Sequence, residues 1–80
     1  MKNKIEDRIK SIMSAVLEVS TDSINYDSSP DSIESWDSLK HMNLIIALEG
    51  ELNIEFTDDE IFEMMNYALI ESIIIGKKQL

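Results

Sequence analysis

The groups in this chain that could do chemistry gather in "SWDSLKHMNLI", residues 35–45, where Asp37, Ser38 and His41 supply a carboxylate, a hydroxyl and an imidazole. These are the parts of a hydrolytic triad, but the spacing opposes one. Ser38 and His41 are three residues apart and Asp37 is adjacent, whereas a general base must reach the nucleophile and be oriented by a third group. On a helix His41 shares an angular stripe with Leu44 and Leu48, which suits a partly buried spacer or a partner contact better than a base. One histidine and no cysteine disfavour zinc. The best calcium-loop frame, from Asp27 to Ser38, has Ser32 where the sharp turn needs glycine and Ser38 where the bidentate glutamate belongs. With two glycines there is no Gly-rich phosphate loop. What Ser38 does offer is an exposed hydroxyl at a helix start, beside unpaired amides and the positive end of the dipole, where an attached anion is favoured. The plainer reading is that serine is simply common at helix starts.

Four helices are expected to position these residues. Residues 3–17 place Ile5, Ile9, Ile12, Met13 and Val16 on one face. Residues 18–36 are rich in Ser and Asp and hold the one proline, Pro30. That composition predicts a long loop, with Ile24, Tyr26, Ile33 and Trp36 pinning it to the bundle. Asp37 is an expected N-cap for a second helix from about Ser38 to Leu52. This helix carries two apolar stripes: Leu44, Ile45, Leu48 and Leu52 for the core, and Leu39, Met42 and Ile46 for another helix or an exposed docking face. Thr57-Asp-Asp-Glu60 matches a capping box, so a short third helix begins at Asp58, with Ile61, Met64 and Met65 inward. A fourth spans about Tyr67 to Ile75 with Ile70, Ile73 and Ile74 on one side, and Gly76 as its stop.

Eighty residues (1–80) predict a single small domain with a thin core, burying roughly 60–65% of its unfolded surface. Lacking disulfides, such a domain relies on packing, which favours a helical bundle. The net charge is −9, and all but two of the sixteen acids lie between Ser11 and Gly76, with Lys40 the one base there. That field disfavours nucleic acid and anionic lipid and attracts basic protein surfaces. There is no apolar run of membrane-spanning length and no signal-peptide stretch, so a soluble cytoplasmic monomer without membrane insertion is expected.

Asp37-Ser38-Leu39 resembles the Asp-Ser-Leu motif of acyl carrier proteins. The resemblance extends through IESWDSLKHMNLIIALEGELNIEF and the following TDDEI to cover residues 3–76. It implies an all-α four-helix bundle of acyl-carrier type, with a long loop between helices 1 and 2 and a short third helix. It also implies a 4'-phosphopantetheine arm, moved from coenzyme A onto the Ser38 hydroxyl by a phosphopantetheinyl transferase, with Asp37 and Leu39 flanking the attachment. Acyl or aminoacyl groups would ride as thioesters on the arm's thiol, which answers the missing cysteine, and the carrier itself would catalyse nothing. The implied partners are that transferase, an acyl- or aminoacyl-activating ligase and acyl-processing enzymes. The implied docking face takes in Trp36, Lys40, Met42, Asn43 and Ile46, with Asp59 and Glu60 from the third helix. Carriers of fatty-acid synthesis often have acids where Lys40 and Asn43 stand. With Trp36 before the motif, the chain looks more like carriers of specialised polyketide, nonribosomal peptide or polysaccharide pathways. The alternative is an acidic helical interaction module with no prosthetic group, in which Met42 and Ile46 bind a partner.

Overall fold

A computed structural model describes residues 4–78. It contains α1 (Lys4–Leu17), a 3-10 turn (Thr21–Ser23), α2 (Ser38–Leu52), α3 (Asp58–Glu63) and α4 (Tyr67–Lys77). The all-α reading and the element order therefore hold, and no strand occurs among the described residues.

Each boundary has a local cause. The Asp37 carboxylate accepts from the Lys40 amide and fixes the start of α2. The capping box at α3 is complete: Thr57 accepts from the Glu60 amide, and the Glu60 carboxylate accepts from the Thr57 amide. At α4 the Asn66 side chain accepts from the Leu69 amide. Helices α1 and α2 end at residues in the left-handed region, Glu18 at φ 61° and Asn53 at φ 58°. Asn53 is at home there, and Glu18 bears the Cβ penalty that glycine would avoid. Gly76 does not stop α4, which runs to Lys77 and is capped at Lys78. Its backbone is not left-handed, so nothing about it breaks the helix.

One core joins the four helices. Ile9, Met13 and Leu17 of α1 meet Leu44, Ile45, Leu48 and Leu52 of α2, and Tyr67, Ile70 and Ile74 of α4. Met64, just beyond α3, fills the remaining side with Phe56. Met65, expected inward, is 44% exposed. The six residues of α3 are fewer than two turns, too few for a stripe that would tell Met64 from Met65. The Tyr67 hydroxyl is buried without a hydrogen-bond partner. Burial first, then the Glu71 and Glu6 carboxylates, push its pKa above the ordinary phenolic value.

The long loop is held by named contacts. Ile24, Ile33 and Trp36 are buried as plugs. Ser35 Oγ donates to the Leu17 carbonyl at 2.7 Å, satisfying the end of α1. The Tyr67 amide donates to the Ser28 carbonyl at 2.9 Å and ties the loop to the start of α4. Tyr26 is 55% exposed; its ring is tilted against Tyr67 with centroids 5.6 Å apart, and its hydroxyl lies beside the Glu71 carboxylate of α4.

Candidate functional site

The loop delivers the chain to the N-terminus of α2, where Ser38 is the first helical residue. Asp37, Ser38 and Leu39 are all exposed, and Leu39 retains 69% of its surface. Asp37 Oδ1 is committed to the Lys40 amide at 2.9 Å, and the Asp37 carbonyl accepts from the His41 amide. The Ser38 hydroxyl therefore stands at the positive end of a fifteen-residue helix, facing solvent. An anionic group joined there is accommodated by the helix end, and no fold contact has to break to admit it.

Beside Ser38 lies an open, mostly apolar cleft of about 510 Å³ between α2, α3 and the loop. Met42 and His41 of α2, Ile61 and Phe62 of α3, Met65 and Pro30 line it, together with Trp36, Asp37 and Ser38. Phe62 is 78% exposed. Periodicity does not single out Phe62 and puts Met65 inward. The signal that could have found both is the surplus of large apolar residues in and beside so short a helix.

The triad is not assembled. The Trp36 indole Nε1 donates to His41 Nδ1 at 3.0 Å, and His41 Nε2 lies 3.0 Å from the Ile61 carbonyl oxygen. Both ring nitrogens are thus taken, and neither partner is Ser38. His41 is the partly buried spacer that its angular position implied, and it spans three segments.

The expected docking residues divide. Met42 and Ile46 are exposed, at 46% and 63%, while Leu44, Ile45 and Leu48 are buried, so the two stripes of α2 face opposite environments. Asn43 and Asp59 are exposed as well. Trp36 is not a surface contact: it is 1% exposed, hydrogen-bonded edge to edge with His41 and packed in the core. Lys40 is likewise turned away from the docking face. Its Nζ reaches back to the Val16 carbonyl at 3.3 Å and to the Glu18 carboxylate at 3.5 Å, where it caps the end of α1. Glu60 is committed internally, to the Thr57 amide and to Lys77 Nζ at 2.8 Å. Those contacts, led by the Lys77 hydrogen bond, hold its carboxyl below the ordinary range.

Comparison with known proteins meets this geometry from outside. Residues 7–71 match the family model described as "Phosphopantetheine attachment site". The acyl carrier protein of Buchnera aphidicola from Acyrthosiphon pisum (strain Tuc7) is 40% identical over 80 residues, spanning all of this chain and 98% of that protein. Its counterpart in strain 5A is 43% identical over 60 residues, covering 75% of this chain and 74% of that one. The solution structure of holo acyl carrier protein from Geobacter metallireducens superposes with a TM-score of 0.82 at 29% identity, over 90% of this chain and 83% of that one. The interaction-module alternative, which dispensed with a prosthetic group, gives way to these matches. Proteins of this kind do not catalyse; they work with phosphopantetheinyl transferases and acyl-processing enzymes. With helices, capped α2 and family match in agreement, the chain belongs to the acyl carrier protein family, whose prosthetic group is a covalently attached 4'-phosphopantetheine.

Proposed function

We propose that Ser38 is the serine that bears the arm, and that the protein presents acyl or aminoacyl thioesters to enzymes of a specialised biosynthetic pathway. One observation carries the attachment: Ser38 is the exposed first residue of α2, preceded by a capping Asp37 whose carboxylate is occupied by the helix backbone. The bound arm would supply the thiol that this cysteine-free chain lacks. The residues here do the rest. The α2 N-terminus favours the phosphodiester, the buried face of α2 keeps the helix rigid, and Leu39, Met42, Asn43 and Ile46 form the surface beside the attachment point.

The pathway reading is supported by the same surface. From Ser38 to Leu48, α2 carries no carboxylate. With Lys40 drawn toward α1, its outer face is apolar and neutral. Acid flanks this stretch, with Asp37 before it, Glu51 in the last turn of α2, and Asp58, Asp59 and Glu63 on α3, all exposed. Such a face suits a partner offering an apolar pocket with a narrow basic rim, rather than a broad basic patch. Phe62 and Met65 extend the apolar area across the cleft and join the docking surface in this reading.

Coexpression with a broad-specificity phosphopantetheinyl transferase, followed by intact mass, tests the assignment. The wild-type chain gains one phosphopantetheine and Ser38→Ala gains none. A wild type that stays unmodified, or a Ser38→Ala that is modified, ends it.

A further inference from the structure

His41 sits where three segments meet, and the chemistry of its neighbours fixes its proton. An indole N–H can only donate, so Nδ1, at 3.0 Å from Trp36 Nε1, must be an unprotonated acceptor. A carbonyl oxygen can only accept, so Nε2, at 3.0 Å from the Ile61 oxygen, must carry the hydrogen. Rotating the ring by half a turn would put carbon at both contacts and lose both bonds. The geometry therefore admits one state, the neutral Nε2–H tautomer.

We propose that His41 is a positioning residue, a pH-sensitive clamp that holds α3 and Trp36 against α2 and so sets the cleft beside Ser38. The three clamped residues, Trp36, His41 and Ile61, all line that cleft. α3 has only six residues and contributes no fully buried side chain, so the bond from His41 to its Ile61 carbonyl adds to the Glu60–Lys77 pair and the flanking Phe56 and Met64 in locating it. Protonation at Nδ1 would set N–H against N–H at the indole. The two rings lie edge to edge, 6.1 Å between centroids and 26° between planes, so the new proton would point at the buried indole N–H with no acceptor. The charged groups around the imidazole are engaged elsewhere. On α2, Asp37, which shares the cleft, accepts from the Lys40 amide, and Lys40 reaches Val16 and Glu18. On α3, Glu60 is held by Thr57 and Lys77. From the loop, Pro30 and Trp36 line the cleft, and neither is charged. No carboxylate is among the hydrogen-bond partners of the ring, so release of Trp36 and α3 is the response the clamp predicts.

The clamp does not depend on where the arm is attached; only its consequence for cargo rests on the Ser38 reading. The test uses the apo protein in both wild-type and Ser38→Ala forms. The chain has one tryptophan and one histidine, so both signals are unambiguous. Nitrogen-15 NMR of the neutral imidazole should show the Nε2–H tautomer, and acrylamide quenching of Trp36 should rise severalfold once acid protonates the ring, wherever in a descending pH series that occurs. That rise should follow the imidazole titration and the amide shifts of Ile61 and Phe62 with one midpoint, identically in Ser38→Ala. His41→Phe keeps a ring without a titratable group, and its quenching should be flat over the same range. An Nδ1–H tautomer overturns the proposal, as does wild-type quenching that stays constant while the imidazole titrates, or a transition retained in His41→Phe. Should His41→Phe not fold, the wild-type tautomer and the shared midpoint still decide.

Discussion

Ile46 and Leu48 are two residues apart on the same helix, both aliphatic, and in opposite environments: 63% and 0% exposed. Truncating each to alanine therefore isolates the environment. Full burial of such a side chain stabilises by about 1.5–3 kcal/mol. Ile46 buries roughly a third of its surface, which is about 0.5–1 kcal/mol, and alanine returns about 0.4 kcal/mol in helix propensity. The expected net change for Ile46→Ala is within about 0.5 kcal/mol, or a melting shift of at most about 4 °C in a domain of this size. Leu48→Ala loses the whole transfer energy and leaves a cavity in the buried core, at a cost of about 2–5 kcal/mol. A domain of eighty residues has about 4–12 kcal/mol to lose, so Leu48→Ala should melt at least about 10 °C lower and approach unfolding in the worst case. Circular dichroism melts measure both. The docking role adds an opposite ranking: Ile46→Ala should lower transferase kcat/KM roughly 5-fold or more, as loss of an apolar anchor worth about 1 kcal/mol or more. Comparable melting losses in the two variants would refute the division of α2 into an outer and an inner face. An unchanged kcat/KM in Ile46→Ala would refute docking alone.

Tyr67→Phe removes a buried hydroxyl that has no partner, so it should stabilise by about 1 kcal/mol and raise the melting temperature by about 4–8 °C; a lower melting temperature would show that the hydroxyl is paired. The Glu60 carboxyl is held below its ordinary pKa of 4.5 by Lys77 and Thr57, so its contribution is present above that value and is lost as pH falls through the lower folded-state one. Glu60→Gln should accordingly flatten the acid limb of stability against pH, and an unchanged acid limb would count against the pair. Glu51, Glu55, Asp58, Asp59 and Glu63 crowd the α2–α3 end, all of them exposed, so moderate salt should raise the melting temperature through screening; a flat salt response would mean that they are compensated.

Much of the fold is legible in the sequence because its signals are local. The Asp37 cap, the Thr57/Glu60 capping box and the two stripes of α2 depend on residues within one or two turns of each other, and all three appear where the spacing puts them. What escapes the sequence depends on reach. Lys40 sits beside the expected docking positions, but its four-carbon stem carries the charge to the end of α1. Trp36 reads equally as a surface aromatic or a plug until its indole is seen bonded to His41 across a helix start. Gly76 reads as a stop because glycine often ends helices, whereas here the α4 backbone never needs a left-handed residue.

The described bases show a division of labour that bears on recognition. Lys40 caps α1 at Val16, Arg8 donates to the Glu51 carbonyl at 2.8 Å, and Lys78 to the Leu52 carbonyl at 3.1 Å, both at the end of α2. Lys10 pairs with Glu6, and Lys77 with Glu60. Each of these cations is engaged at a helix end or an internal carboxylate, where it complements the negative end of a dipole or neutralises one acid. Among the described acids, Glu6 and Glu18 pair with Lys10 and Lys40, Glu49 accepts from the Phe56 amide, and Asp37 and Glu60 cap helices; most of the others are exposed. These five cations are thus each held by a carbonyl or a carboxylate, while ten of the described acids, from Asp7 to Glu63, are exposed apart from those pairings. In the proposed docking reading, long-range attraction would come from the net charge of the whole carrier, and the neutral outer face of α2 with the apolar cleft beside Ser38 would set how the encounter docks.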